Sequence, residues 1–465
     1  MIKAYIDFNK KLRDWDGFGF NYVETCQTSD YTADAQDYSG FSTLAEDKKQ
    51  EILSLIFGDD GLKPSLIKMF FDPFHRREDK IDPTEIVCRA DYDHETTSKN
   101  MRYFVKEGLK KTRARGDDLS VVTTLYGPPA FMTRQKFVRG RDLDPRYKGE
   151  LAKYFVSWVK YLKQEEGIPV RYISLHNEGE DFTRWPADGS ASWLDKGHDY
   201  NMHWPPELVA EMIPLVARFL KANGLHDVGM GCGETTNWLR FSEWGYAKAI
   251  EEDAAALNDL DLITSHGFVV YNKNRWFADT RSAGIDRLRE KKPSLHAWTT
   301  SVSWAKMDVF FLSDFRNNIY AAKVNGVIPW AGIQWPEKWL GKDPNPGCAI
   351  RVDGKGNYSV EQGYYYYKQI CRAGQAGMAV CDVTCNDTEL QLIGFSANGT
   401  HHADAFVVLN VSGEAKTLAV ETANGGRFIG YRTSEAGERY EAIGEFASGT
   451  SITVPPMSAT TFYRI

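Results

Sequence analysis

The chemistry in this chain is concentrated where a short apolar run meets polar side chains: Val170-Arg171-Tyr172-Ile173-Ser174-Leu175, followed at once by His176-Asn177-Glu178-Gly179-Glu180. The run is rich in β-branched and aromatic residues, the composition of a buried strand. A carboxyl group at the mouth of such a strand lies partly out of water, so it can stay protonated near neutrality and hand its proton to a bound molecule. The amide beside it can hold a neighbouring hydroxyl. Taken alone, the pair is better explained as a strand running into a polar, solvated turn. The order of the surrounding elements changes that.

Eight strand-like runs, at residues 17–22, 66–71, 119–125, 170–175, 228–232, 261–265, 295–299 and 326–334, each end in polar or aromatic residues. Helical periodicity separates most of them. Thr43-Leu44-Ala45-Glu46 has the spacing of a capping box before a helix through Ile56, and Asp144-Pro145 reads as an N-cap and first-turn proline before Leu151, Tyr154, Phe155, Trp158 and Leu162. Strands alternating with helices predict a parallel sheet, and eight of them predict a (β/α)8 barrel whose chemistry lies at the C-terminal ends of the strands. From about Arg372 the helical period stops, and short alternating runs separated by Asn398-Gly399, Ser412-Gly413 and Asn424-Gly425-Gly426 predict a C-terminal β-sandwich. The expected division is a strand at 1–16 that joins the sandwich, a barrel over 17–371 and a sandwich over 372–465. No charged tail or low-complexity linker separates them, so they are expected to pack together.

A formal net charge of −7 favours neither nucleic acid nor an anionic membrane as partner. No window approaches the roughly 18 apolar residues of a membrane span. The N-terminus lacks the apolar core of a signal peptide, which points to the cytoplasm or to a secreted protein whose signal has been removed. Seven scattered cysteines, with Cys381 and Cys385 four apart but no second pair beside a histidine, predict free thiols and no zinc site. Thirteen tryptophans, and aromatics at 13% of the chain, suit a cleft that stacks sugar rings or planar ligands, although large cores use aromatics too.

With Asn177-Glu178 at the end of strand four, the chain resembles the clan A retaining glycoside hydrolases, and among them family 30 most, with family 39 and other clan A families close. Gly17-Phe18-Gly19 before strand one, Pro128-Pro129-Ala130-Phe131-Met132 after strand three and the ending Ile452-Thr453-Val454-Pro455-Pro456-Met457-Ser458-Ala459-Thr460-Thr461-Phe462 carry the resemblance. It implies a carbohydrate or glycoside substrate and a two-carboxylate mechanism that needs no metal or organic cofactor. It implies Glu178 as general acid/base and Asn177 on the sugar 2-hydroxyl. It places His266 near the nucleophile and Trp335 as a stacking floor, with Trp298 and Trp330 competing for that role. Glu234 and Tyr126 complete the substrate-binding candidates. Residues 182–206, carrying Trp185, Trp193 and Trp204, are a candidate wall of the cleft.

The chain departs from the family at strand seven. Where the pattern Trp-x-(Thr or Ser)-Glu supplies the nucleophile, this chain reads Trp298-Thr299-Thr300-Ser301, and strand two carries Lys68 where many relatives carry arginine. Three explanations stand open: a Glu→Ser replacement in an active retaining enzyme, a nucleophile supplied by another acid such as Glu234 or Glu337, or a natural sugar-binding protein without catalysis.

Overall fold

The computed structural model describes residues 2–22, 38–72, 98–136, 140–182, 201–268, 271–272, 276–277, 282–302, 306–338 and 347–465. Eight strands close into a parallel barrel: Gly17–Asn21, Leu66–Phe70, Ser120–Thr124, Val170–Ser174, Gly229–Gly231, Leu260–Ser265, His296–Val302 and Gly326–Pro329. They are barrel strands one to eight. Closure comes where Gly326 pairs with Trp298 on one side and Gly17 on the other. Strands two and eight are buried at every position, because side chains fill the inside and helices cover the outside. The expected barrel is the observed one.

The outer ring includes the helices Glu46–Phe57, Lys99–Ala114, Lys148–Gln164, Pro206–Ala222, Ala283–Lys291, Val309–Tyr320 and Gln362–Ala373. The expected capping box does not form. Ala45 is the N-cap, and the Thr43 hydroxyl instead donates to the Gly40 carbonyl at 2.7 Å, closing the turn Phe41–Thr43. Asp144 does cap, accepting from the Arg146 N–H at 3.2 Å, but it opens the 3-10 turn Pro145–Tyr147 that feeds the helix. The five described cysteines are free thiols, and Cys26 and Cys88 lie outside the described residues. No helix among the described residues is long and apolar enough to cross a membrane.

The C-terminal strands form one nine-stranded sheet that folds around its own core. Its order is Arg439–Ala447, Arg427–Ser434, Ser458–Arg464, Ala405–Asn410, Leu390–Ser396, Ala379–Cys385, Ile2–Asp14, Lys416–Thr422 and Ser451–Val454. The alternation seen in the sequence has two destinations. Phe406 and Val408 enter the sandwich core, whereas Ala405, Val407 and Leu409 join the large core shared with the barrel. The N-terminal strand is interior to the sheet, antiparallel to Ala379–Cys385 and parallel to Lys416–Thr422. Ala4, Ile6 and Phe8 point into the sandwich core, and burial of Ile6 and Phe8 alone is worth roughly 3–6 kcal/mol. A fragment spanning 17–371 would lose this sheet and uncover the shared core, so it is expected to aggregate or to melt without cooperativity. A circular-dichroism melt checks this, and a soluble fragment with a sharp transition would show that the sandwich is dispensable.

Candidate active site

The polar cluster at the barrel mouth starts from the way strand four continues past its last regular residue. Asn177 bridges in parallel to Glu234, with the Glu178 N–H donating to the Glu234 carbonyl and the Glu234 N–H donating to the His176 carbonyl, both at 2.7 Å. This extension aims three consecutive side chains differently. His176 turns into the core, where its Nδ1 accepts from the Gly179 N–H at 3.3 Å and its ring stacks 5.8 Å from Trp204. Burial pushes its imidazole down to about 3, so it stays neutral. A Cβ on Gly233 would lie 2.2 Å from that ring, and Gly233 has φ +94°, so only glycine lets the chain turn there toward Glu234.

Two non-glycine residues of the cluster hold left-handed backbone, Glu178 at φ +43° and Ser301 at φ +64°. Such residues cost of order 1–3 kcal/mol and gather where a side chain must be aimed. Ser301 is the extra residue of a bulge in strand seven: Thr300 pairs with Ile328 and Val302 with Pro329, leaving Ser301 unpaired and redirected.

His266, after strand six, joins the acidic groups. Its Nδ1 lies 2.8 Å from Glu178 Oε1, and its Nε2 lies 2.9 Å from Asn177 Oδ1 and 3.0 Å from Glu234 Oε2. The Asn177 Nδ2 donates to Asn201 Oδ1 at 3.3 Å, which turns its oxygen toward His266. Nε2 therefore faces acceptors and must carry a proton. Nδ1 then either accepts the proton of a neutral Glu178 or, as imidazolium, donates to its carboxylate. Either way one proton is shared between Glu178 and His266. Burial disfavours the charged ring, yet the hydrogen bonds to Glu178 and Glu234 outweigh it and raise the His266 pKa above its ordinary value.

Lys68, fully buried in strand two, closes the other side. Its Nζ is ion-paired with Glu234, donates to Ser301 Oγ at 2.7 Å and reaches Asn177 Oδ1 at 3.4 Å. Thr124, the last residue of strand three, donates to Glu234 Oε1 at 2.6 Å. Burial works to neutralise Glu234, but the Lys68 charge and the His266 hydrogen bond hold its carboxyl far below the usual glutamate range. The cluster can thus deliver a proton at Glu178 and hold one buried, compensated carboxylate at Glu234. Phe70 borders it, with Lys68 Nζ 5.2 Å from its ring centre and with Tyr126 and Trp330 edge-on at 5.0 and 6.2 Å.

Several sequence candidates lie elsewhere. Trp298 is near the base of the barrel, donating to Asp16 at 2.7 Å and packed with Leu66, Val122, Leu262 and Ile328. Trp335, two residues past Ile333, packs against Gly354 and stays a candidate beside Trp330, which directly follows strand eight. Glu337 is largely exposed and pairs with Arg351 at 2.6 Å. Glu234 is wholly enclosed, and its carboxylate is taken up by Lys68, Thr124 and His266. Glu180 is tied to Thr236 and to Arg240 at 3.1 Å. Trp204 is buried core, and Trp185 and Trp193 lie outside the described residues. His266, Asn177, Glu178 and Ser301 do come together around Lys68, and Tyr126 borders them through the Phe70 ring. Thr124, Phe70 and Asn201 were missed. A polar residue ending an otherwise apolar strand was the available signal for Thr124, and nothing local marked Asn201.

No model of a protein family matches the chain by sequence, and neither does any curated protein. Solved structures do match in fold. A GH30 endoxylanase from Clostridium papyrosolvens aligns over 100% of both chains, with a TM-score of 0.65 and 16% identity. The catalytic domain of GH30 xylanase C from Talaromyces cellulolyticus also aligns over 100% of both, at a TM-score of 0.72 and 15% identity. The chain shares with these structures a (β/α)8 barrel joined to a β-sandwich. The endo-β1,6-glucanase BT3312 shares it across 99% of this chain and 93% of its own, at a TM-score of 0.67 and 16% identity. At these identities the likeness is one of fold, and the chemistry must be argued from the cluster itself.

Proposed function

We propose that this chain binds a β-linked glycoside at the barrel mouth, with Glu178 donating and accepting the proton, and that Ser301 in the nucleophile's place leaves hydrolysis weak. The observation that carries the reading is the 2.8 Å contact between Glu178 Oε1 and His266 Nδ1, next to Asn177 and, through Lys68, to Ser301. Endoxylanases and a β1,6-glucanase among the fold neighbours support a β-linked sugar without selecting one. With a glutamate at 301 the same site would run a retaining displacement. The serine hydroxyl faces the Lys68 ammonium rather than a base, so it is a poor nucleophile.

One observation favours a second reading, a natural sugar-binding protein. Lys68 fills the space beside Ser301 and already has its carboxylate in Glu234, so the cluster is electrically complete without a glutamate at 301. Azide rescue separates the two. Under the first reading, azide drawn to Lys68 attacks a dinitrophenyl β-glycoside on the face opposite the aglycone and yields an α-glycosyl azide, while Glu178→Gln leaves this activated substrate nearly untouched and abolishes slow turnover of a poor leaving group. A protein that binds the glycoside tightly, yet gives no azide adduct at any concentration, is a binder.

A further inference from the structure

Remote from the barrel mouth, at the junction of barrel and sandwich, three metal-type side chains converge. His401 and His402 are consecutive in the turn between the sandwich strands Leu390–Ser396 and Ala405–Asn410, and Asp117 precedes barrel strand three. The two imidazole rings are 4.0 Å apart. Both Nε2 atoms aim at one oxygen, Asp117 Oδ1, at 3.4 and 3.5 Å. The other oxygen, Oδ2, accepts from Arg115 Nε at 2.8 Å, which fixes the carboxylate plane.

These separations lie beyond the usual 2.7–3.2 Å for N–H···O hydrogen bonds. They match the edge of a tetrahedron of ligands around an ion with bonds of 2.0–2.1 Å, which is about 3.3–3.4 Å. All three ligand atoms lie within 4.8 Å of one another. We propose that His401 Nε2, His402 Nε2 and Asp117 Oδ1 bind a divalent ion of the zinc class. Cysteine spacing, on which the sequence expectation of no metal rested, does not bear on this set.

One further feature bears on the choice of ion. The set also borders a cavity of about 270 Å³ lined by Lys63, Arg115 and Arg372 as well as Asp59. That surplus of positive charge disfavours a hard cation such as calcium, which needs several carboxylates. It leaves imidazole-seeking ions competitive and favours water or a small anion in the remaining coordination positions. The ion would cross-link the sandwich turn to the barrel base.

The test uses the full chain stripped with a chelator. Titration with ZnCl₂ is expected to show one equivalent bound with a Kd in the micromolar range or below, and saturating zinc is expected to raise the melting temperature by several degrees. Cobalt(II) is expected to give the visible bands of a low-coordinate site. The double variant His401→Ala/His402→Ala and the single variant Asp117→Asn should each weaken binding at least tenfold and abolish the thermal shift. His401→Ala alone, at a largely exposed side chain, serves if the others fail to fold. Unchanged zinc affinity in a folded variant, or no saturable binding by the parent, overturns the proposal.

Discussion

Ser301→Glu is expected to raise turnover of aryl β-glycosides by at least about three orders of magnitude, because nucleophile and acid act as a unit and the parent lacks one of them. The bulge at 301 already redirects the side chain, and Lys68 Nζ stands 2.7 Å from Ser301 Oγ, ready to receive a carboxylate. The new glutamate must share that ammonium with Glu234. Two carboxylates on one cation raise the demand for a proton nearby, and His266, already raised in pKa between Glu178 and Glu234, is placed to supply it. The gain should therefore have an alkaline limit set by loss of the His266 proton. Initial rates across pH on a panel of aryl glycosides measure both. A folded, sugar-binding variant that cleaves none of the panel would hand the site to the binding reading.

Glu234→Gln should be the most destabilising single change at the site, by about 3–5 kcal/mol, because it leaves the buried Lys68 charge uncompensated. Thr124→Val, which removes one hydrogen bond to the same carboxylate, should cost only about 1 kcal/mol. The pH dependence has a definite sign. The folded-state pKa of Glu234 is depressed, so its contribution is present above the ordinary glutamate range and is lost as pH falls below it. Urea denaturation of parent and Glu234→Gln should thus converge toward acid pH and diverge near neutrality. A constant difference between them across pH would mean the ion pair contributes nothing.

The barrel was legible because each strand is a short apolar run closed by a polar residue, and that pattern needs no tertiary information. The depth of a side chain along a strand was not legible. Trp298 and Ser301 are three residues apart in one strand, which at about 3.3 Å per residue puts roughly 10 Å between base and mouth. A tryptophan at the base therefore reads in the sequence like one at the mouth, as Trp298 shows. Glu234 shows a different limit. An acid at a strand end reads the same whether it faces solvent or is closed over, and Lys68, Thr124 and His266, on or just after three other strands, close it.

The position of the N-terminal strand has a consequence for synthesis. Residues 2–14 leave the ribosome well before their partners, since the antiparallel one begins at Ala379 and the parallel one at Lys416. At about 5–20 residues per second, the strand waits on the order of 20–70 s without a neighbour on either side. During that interval a segment carrying Ile6 and Phe8 presents two open edges to every other nascent chain. Its run of Lys10, Lys11 and Arg13, with Asp7 and Asp14, supplies the charges that discourage such pairing until the partner strands arrive.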